Sequence, residues 1–275
     1  MRHPKRIALL LMKSQALLIF LSLICLGFVI WSFGFFSSWD GKSKLSVVSQ
    51  SGTGDVAVTV YDPGSYGITV IKIPADTLVE AANNLGTWKL GSISKLGIDK
   101  NLGSWFLKNT VVKSFYFPID AVPANLSILD KLKIYVFSLS IGNTGKNTID
   151  LANTSYLRRS QLVDGSLGWQ ITDTMPLSVE SYFSVSGTSM NVLIKNMSGS
   201  KRSAVIAGKV VEALGERVAS VQNLDASDTD CKAVGLSDKI ITEIAKVFSC
   251  QKEIKKPADN FDIEIDLGKK FTSRF

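Results

Sequence analysis

The pattern of apolar and polar positions divides the chain into segments of different kinds. The longest apolar run covers residues 14–38 (SQALLIFLSLICLGFVIWSFGFFSS) and carries no charged side chain. About 20 apolar residues suffice to cross the ~30 Å hydrocarbon core of a bilayer. The expectation is therefore a single spanning helix over 14–38. Arg2, Lys5, Arg6 and Lys13 precede it, and no acid occurs before Asp40. That charge bias predicts a cytoplasmic N-terminus and an extracytoplasmic 40–275. A cleaved leader is the competing reading. Leaders have an apolar core of roughly 7–15 residues and a small-residue cleavage site. This run is longer, and FGFFSSWDG offers a poor site, which favours an uncleaved anchor.

Beyond it, residues 40–54 are rich in Ser, Gly and Lys and read as a spacer. Residues 55–61 (DVAVTVY) and 67–73 (GITVIKI) are β-branched runs around a Pro-Gly turn, the signature of a hairpin. Residues 76–84 carry a helical apolar spacing with Asp76 or Thr77 as the cap. Residues 86–97 read as irregular. Leu102, Phe106, Thr110 or Val111, and Phe115 lie along one face of a helix over 102–115. A helix over 127–133, a strand over 134–140, and loop with short helix over 143–176 complete this part. A domain boundary is expected near 176–187. Strand patterns at 190–195, 217–222 and 261–267 then alternate with amphipathic helices at 204–214 and 238–248. The order β-α-β-α-β is that of a small layered domain. The expected fold class is thus α/β. An anchor lies within 1–39, a spacer follows over 40–54, and two α/β domains cover 55–186 and 187–275.

Composition narrows the chemistry. The formal net charge is +7, and four of those charges sit in the N-terminal tail. The rest of the chain is mildly basic, with Lys and Arg interspersed among acids, so a nucleic-acid partner is not expected. The only histidine is His3, which excludes a His-dependent hydrolase and a His-ligated zinc from residues 40–275. IGNTGKNT at 141–148 fails the spacing of a phosphate-binding loop. Asn125, Asn153 and Asn196 are formal glycosylation acceptors. Cys25 lies in the apolar run as a small apolar residue. Cys231 and Cys250 form an even pair, for which a disulfide is expected over two free thiols. Arg158 and Arg159 are the only adjacent arginines beyond the tail. They could hold a phosphate or pyrophosphate bidentately, or form a solvated charge pair. Asp55 and Asp76 flank the predicted hairpin. Together they could hold a divalent cation, or serve separately as turn acid and helix cap.

Two segments resemble known families. NVLIKNMSGSKRSAVIAGKVVEALGERVASVQN, with the terminal FDIEIDLGKKF, is similar to the C-terminal domain of LytR-type proteins. Asn196, Gly199, Leu214, Val221, Asn223, Leu267, Gly268, Lys269 and Phe271 carry the likeness over roughly 190–271. DVAVTVYDPGSYGITVIKIPADT resembles the start of a LytR-CpsA-Psr catalytic domain. In that family an aspartate-bearing strand leads to Ile-Pro-Arg-Asp-Thr; Asp55, Ile73, Pro74, Asp76 and Thr77 match. Lys89 fits the family's next Gly-rich segment.

The resemblance implies an enzyme that moves lipid-pyrophosphate-linked glycopolymer onto peptidoglycan. Arginines would serve the pyrophosphate and acids a metal such as Mg. The departures matter more. Ala75 stands where the family has the arginine, and Thr53 or Gly54 where an arginine precedes the strand aspartate. A methyl group neutralises no pyrophosphate. The expectation is a degenerate, non-catalytic binding or scaffolding member of the cell envelope, without a cofactor. Its partners would be the bilayer through 14–38 and a wall glycopolymer or envelope protein. The alternative is a transferase using Asp55, Asp76 and an arginine supplied by Arg158 or Arg159.

Overall fold

The structure is a computed structural model that describes residues 21, 22, 27, 39–161, 165–172, 175–185, 187, 189–257 and 260–275. It is a mixed α/β architecture built around two main sheets. The first sheet contains β1 (Leu45–Gln50), β2 (Val56–Asp62), β3 (Gly67–Ile73) and β6 (Lys146–Asp150), in the order β1-β2-β3-β6. The first three are antiparallel and β6 joins β3 in parallel. Alternation sets the two faces. Val48, Val56, Val58, Val60, Ile71 and Ile73 point into the main core, beneath α1 (Ile93–Asp99) and α2 (Trp105–Phe115). On the other face a smaller core of Trp39, Leu45, Val47 and Leu126 is closed by Ile134 and Phe137 of α3 (Ile128–Ser140). A Ser127–Asp130 capping box starts that helix.

The second sheet holds β9 (Asn191–Met197), β10 (Arg217–Asn223), β11 (Cys231–Gly235), β12 (Gln251–Ile254) and β13 (Ile263–Gly268), ordered β10-β9-β13-β11-β12. Two parallel β-α-β units build it. One winds through α5 (Lys201–Ala213), the other through α6 (Asp238–Phe248). Strand β13 lies between them, parallel to β9 and antiparallel to β11. A last helix, α7 (Lys269–Arg274), stacks Phe271 on Phe275 and packs both against Phe248. Two short ribbons, β4 (Leu78–Glu80) with β5 (Thr87–Lys89) and β7 (Leu157–Gln161) with β8 (Leu167–Ile171), and the turn α4 (Leu177–Glu180) connect the two parts. The seam between the sheets is polar in places. Lys108 donates to the Lys246 carbonyl at 2.6 Å, and Lys113 pairs with Glu80 at 2.9 Å while donating to the Phe275 carbonyl.

Several expectations need correction. The spanning helix is the first. Among the described residues no helix is long and apolar enough to cross a membrane. The longest, α3 and α5, have 13 residues each, about 20 Å against a core of ~30 Å. Apart from residues 21, 22 and 27, the run 14–38 lies outside the described residues. The fold class with a membrane helix, and the single-pass location with an extracytoplasmic 40–275, do not stand. Both were built on the length of that run. The spacer 40–54 contains β1. The helix over 76–84 is instead β4 and a turn, because Asn83, Asn84 and Gly86 take left-handed backbone that ends any helix. The strand over 134–140 is the second half of α3. The loop expected over 143–176 contains β6, β7 and β8. The β-α-β-α-β order gains β11 and β12.

The cysteine expectation is met. Cys231 and Cys250 form a disulfide with Cα atoms 4.7 Å apart across 19 residues, tying the start of β11 to the residue before β12.

Candidate functional site

Strands β2 and β3 pair Val56 with Ile73, so Asp55 and the Pro74–Thr77 segment emerge side by side at one end of the first sheet. The Asp55 carboxylate accepts from the Ala75 N–H and the Thr53 hydroxyl, each at 3.3 Å. Asp76 follows immediately, and its carbonyl accepts from Trp169 N–H at 3.3 Å. Asp55 thus lies beside the backbone that carries Asp76. Asp55 serves the backbone beside Asp76. Among the described residues no group of three or more His, Cys, Asp or Glu side chains could hold a metal ion.

The Ala75 position is tightly built. Gly91 N–H donates to the Ala75 carbonyl at 2.8 Å. A Cβ on Gly91 would stand 2.9 Å from the Ala75 methyl and 3.3 Å from the Gly54 carbonyl oxygen. Gly54 itself has φ +93°, a conformation that only glycine adopts at little cost. Gln50, the last residue of β1, closes the knot. Its Nε2 donates to the carbonyls of Gly54 and Gly91 at 2.9 and 2.8 Å. Its Oε1 is buried with no hydrogen-bond partner among the described residues.

Gln50 stands between two clefts. On the core side Val48, Ile98, Phe106, Leu107 and Val122 line an apolar cleft of about 420 Å³. On the outer face Ser49, Thr53, Asp55, Lys72 and Asp150 bring polar groups to a second cleft of about 510 Å³. This one follows the register across the sheet, where Ser49 faces Ala57, Ala57 faces Lys72 and Lys72 faces Asp150. Such volumes suit a small ligand.

The arginine pair lies in the neighbouring corner. Arg159 faces Trp169 across the β7–β8 ribbon, and its guanidinium carbon sits 5.7 Å from the centre of that ring. Trp169 in turn bridges to Thr77 and bonds Asp76, so the ribbon is docked on the Asp76 segment. Arg158 pairs with Gln170 and points to the opposite face of the ribbon. Lys89 donates to Ser166 at 3.0 Å in the same corner. The hydroxyls of Thr77 and Ser160 are buried there without a hydrogen-bond partner among the described residues.

Sequence reasoning therefore reached Asp55, Asp76, Lys89 and the arginine pair. It missed Gln50, Gly91, Lys72 and Asp150. Gln50 ends a strand inside the expected spacer, and Asp150 sits in a stretch with no apolar alternation, so neither carried a signal. No protein-family model, curated protein or solved structure matches the chain.

Proposed function

We propose that this chain is a binding module of LytR-CpsA-Psr type with a LytR-type C-terminal domain. It holds a lipid-linked wall glycopolymer without transferring it. The observation that carries this reading is the knot at Ala75. Where the resemblance calls for an arginine facing a pyrophosphate, a methyl group is wedged against Gly91 and the Asp55 carboxylate is spent on the Ala75 N–H. Transition-state charge on a leaving pyrophosphate has no bidentate partner at that point. Ligand binding keeps its means. An apolar cleft suited to a polyprenyl or acyl chain and a second cleft, whose Asp55, Lys72 and Asp150 can hydrogen-bond sugar hydroxyls, meet at Gln50. Arg159, Trp169 and Lys89 offer cations and an aromatic face beside them.

Titration of the full chain with polyprenyl pyrophosphate and with a lipid-linked glycopolymer fragment tests this. Saturable binding of the glycopolymer lipid, with no release of polyprenyl phosphate when Mg is added, is the expected result. Absence of binding to either compound sinks the reading. Metal-dependent release of polyprenyl phosphate would favour the transferase instead. One observation speaks for that second reading: the ribbon carrying Arg158 and Arg159 is docked on the Asp76 segment. Replacing both arginines by alanine would then abolish release, whereas a binding module would lose only affinity.

A further inference from the structure

Helix α3 is amphipathic twice over. Its inner face places Ile134 and Phe137 on the small core, and Asp130 there is fully buried. Its outer face carries Ile128, Leu132, Tyr135, Val136 and Leu139, each between 54 % and 68 % exposed. Positions i, i+4, i+7, i+8 and i+11 form one continuous stripe along the helix. Single exposed apolar residues need no explanation, but a contiguous patch of five large ones marks a contact surface.

We propose that the outer face of α3 is a lipid-contacting surface, with the helix lying in the interfacial plane of an anionic bilayer. This contact is parallel to the bilayer and needs no helix to cross it. It is also independent of the glycopolymer reading. Charge favours lipid over a protein groove. The one acid of α3, Asp130, is turned inward, accepting from Trp39 N–H and from Ser127. The helix's charges outside the core are Lys131, which is exposed, and Lys133, whose ammonium reaches the Trp39 carbonyl at 2.7 Å. The adjoining turn holds exposed Lys42 and exposed Asp40, whose carboxylate is turned back onto the Lys42 and Ser43 N–H groups at 2.9 and 2.8 Å, so the excess positive charge beside the stripe comes from Lys131 and Lys133. An apolar stripe flanked by lysines, with no exposed acid on the helix, is the composition of a helix that rests on anionic headgroups.

The test uses the full chain with Cys25→Ser and Leu132→Cys, labelled with an environment-sensitive nitrobenzoxadiazole dye. Vesicles of phosphatidylcholine and phosphatidylglycerol should shift its emission to the blue, and brominated acyl chains should quench it. A label at Lys239→Cys, on α6, should do neither. Adding Val136→Lys and Leu139→Lys, both at exposed sites that leave the inner face intact, should abolish the quench. Three results overturn the proposal. The first is a Leu132 label that stays unshifted with vesicles present. The second is a blue shift without vesicles in a monomer, which would mean that the chain covers its own stripe. The third is a shift that tracks dimer formation in light scattering, which would assign the stripe to a second copy.

Discussion

Glu243 on α6 is almost wholly buried at the seam between the two sheets, close to Asp120. Burial first, and the neighbouring Asp120 carboxyl second, push its pKa from 4.5 up to about 8. Asp120 is also raised, again mainly by burial, although Ser46 N–H donates to it at 2.7 Å. The void beside the pair is about 10 Å³, room for at most one water to hydrate a second charge. Between pH 4.5 and about 8 the unfolded chain has lost this proton while the folded chain retains it. The folded state then binds more protons, so unfolding free energy falls as pH rises through that window. Integrated over the shift, the loss is on the order of 4 kcal/mol. Glu243→Gln keeps the shape and cannot ionise. The variant should match the native chain near pH 4.5 and exceed it by a few kcal/mol near pH 8.

Urea unfolding followed by tryptophan fluorescence at pH 4.5, 6, 7 and 8 reads the difference directly. Asp40, Asp62 and Glu80, which burial alone would raise, are held below their ordinary values by hydrogen-bond and ion-pair partners. Their windows lie below pH 4.5 and cancel in the difference curve. Lys108 carries the opposite sign. Burial lowers it from 10.5 to about 8, so it restores stability as pH rises from about 8 to 10.5. The native profile should therefore pass through a minimum near pH 8. Parallel curves for the two proteins across pH 4.5–8 would refute the assignment of a retained proton to this seam.

Two further outcomes are expected. Gly91→Ala should cost about 1–3 kcal/mol, because its Cβ meets the Ala75 methyl at 2.9 Å, and it should weaken ligand binding by displacing Gln50; denaturant midpoints and a binding titration measure both. Reduction of the Cys231–Cys250 disulfide, or its replacement by two serines, should remove about 3 kcal/mol, the chain-entropy value for a loop near this size, seen as a lower urea midpoint with reductant than without.

Much of the C-terminal part could be read from the chain. The helix Asp238–Phe248 falls where its apolar spacing puts it, and the alternation before Leu267 gives β13. What failed did so for local reasons. Residues 134–140 read as a strand because both faces of α3 are apolar, one toward Trp39 and one outward, which erases the helical period. Strands β6 and β12 show no alternation, since Lys146–Asp150 and Gln251–Ile254 lie at sheet edges and are largely exposed on both faces. Asp55 and Asp76 stood out as acids beside a hairpin. The glutamine and glycine that lock Ala75 between them did not, because their roles depend on a close approach of backbones that no spacing rule encodes.

Strand β13 sits in the middle of its sheet yet follows the other four strands in sequence. The two β-α-β units can each form locally, but neither touches the other until this strand slides between them. Assembly of the second sheet is thus a late, non-local event, and such topologies fold slowly. Until it happens, the inner edges of β9 and β11 stay open to strangers, so crowding and chaperone supply should govern yield more than the finished protein's stability does.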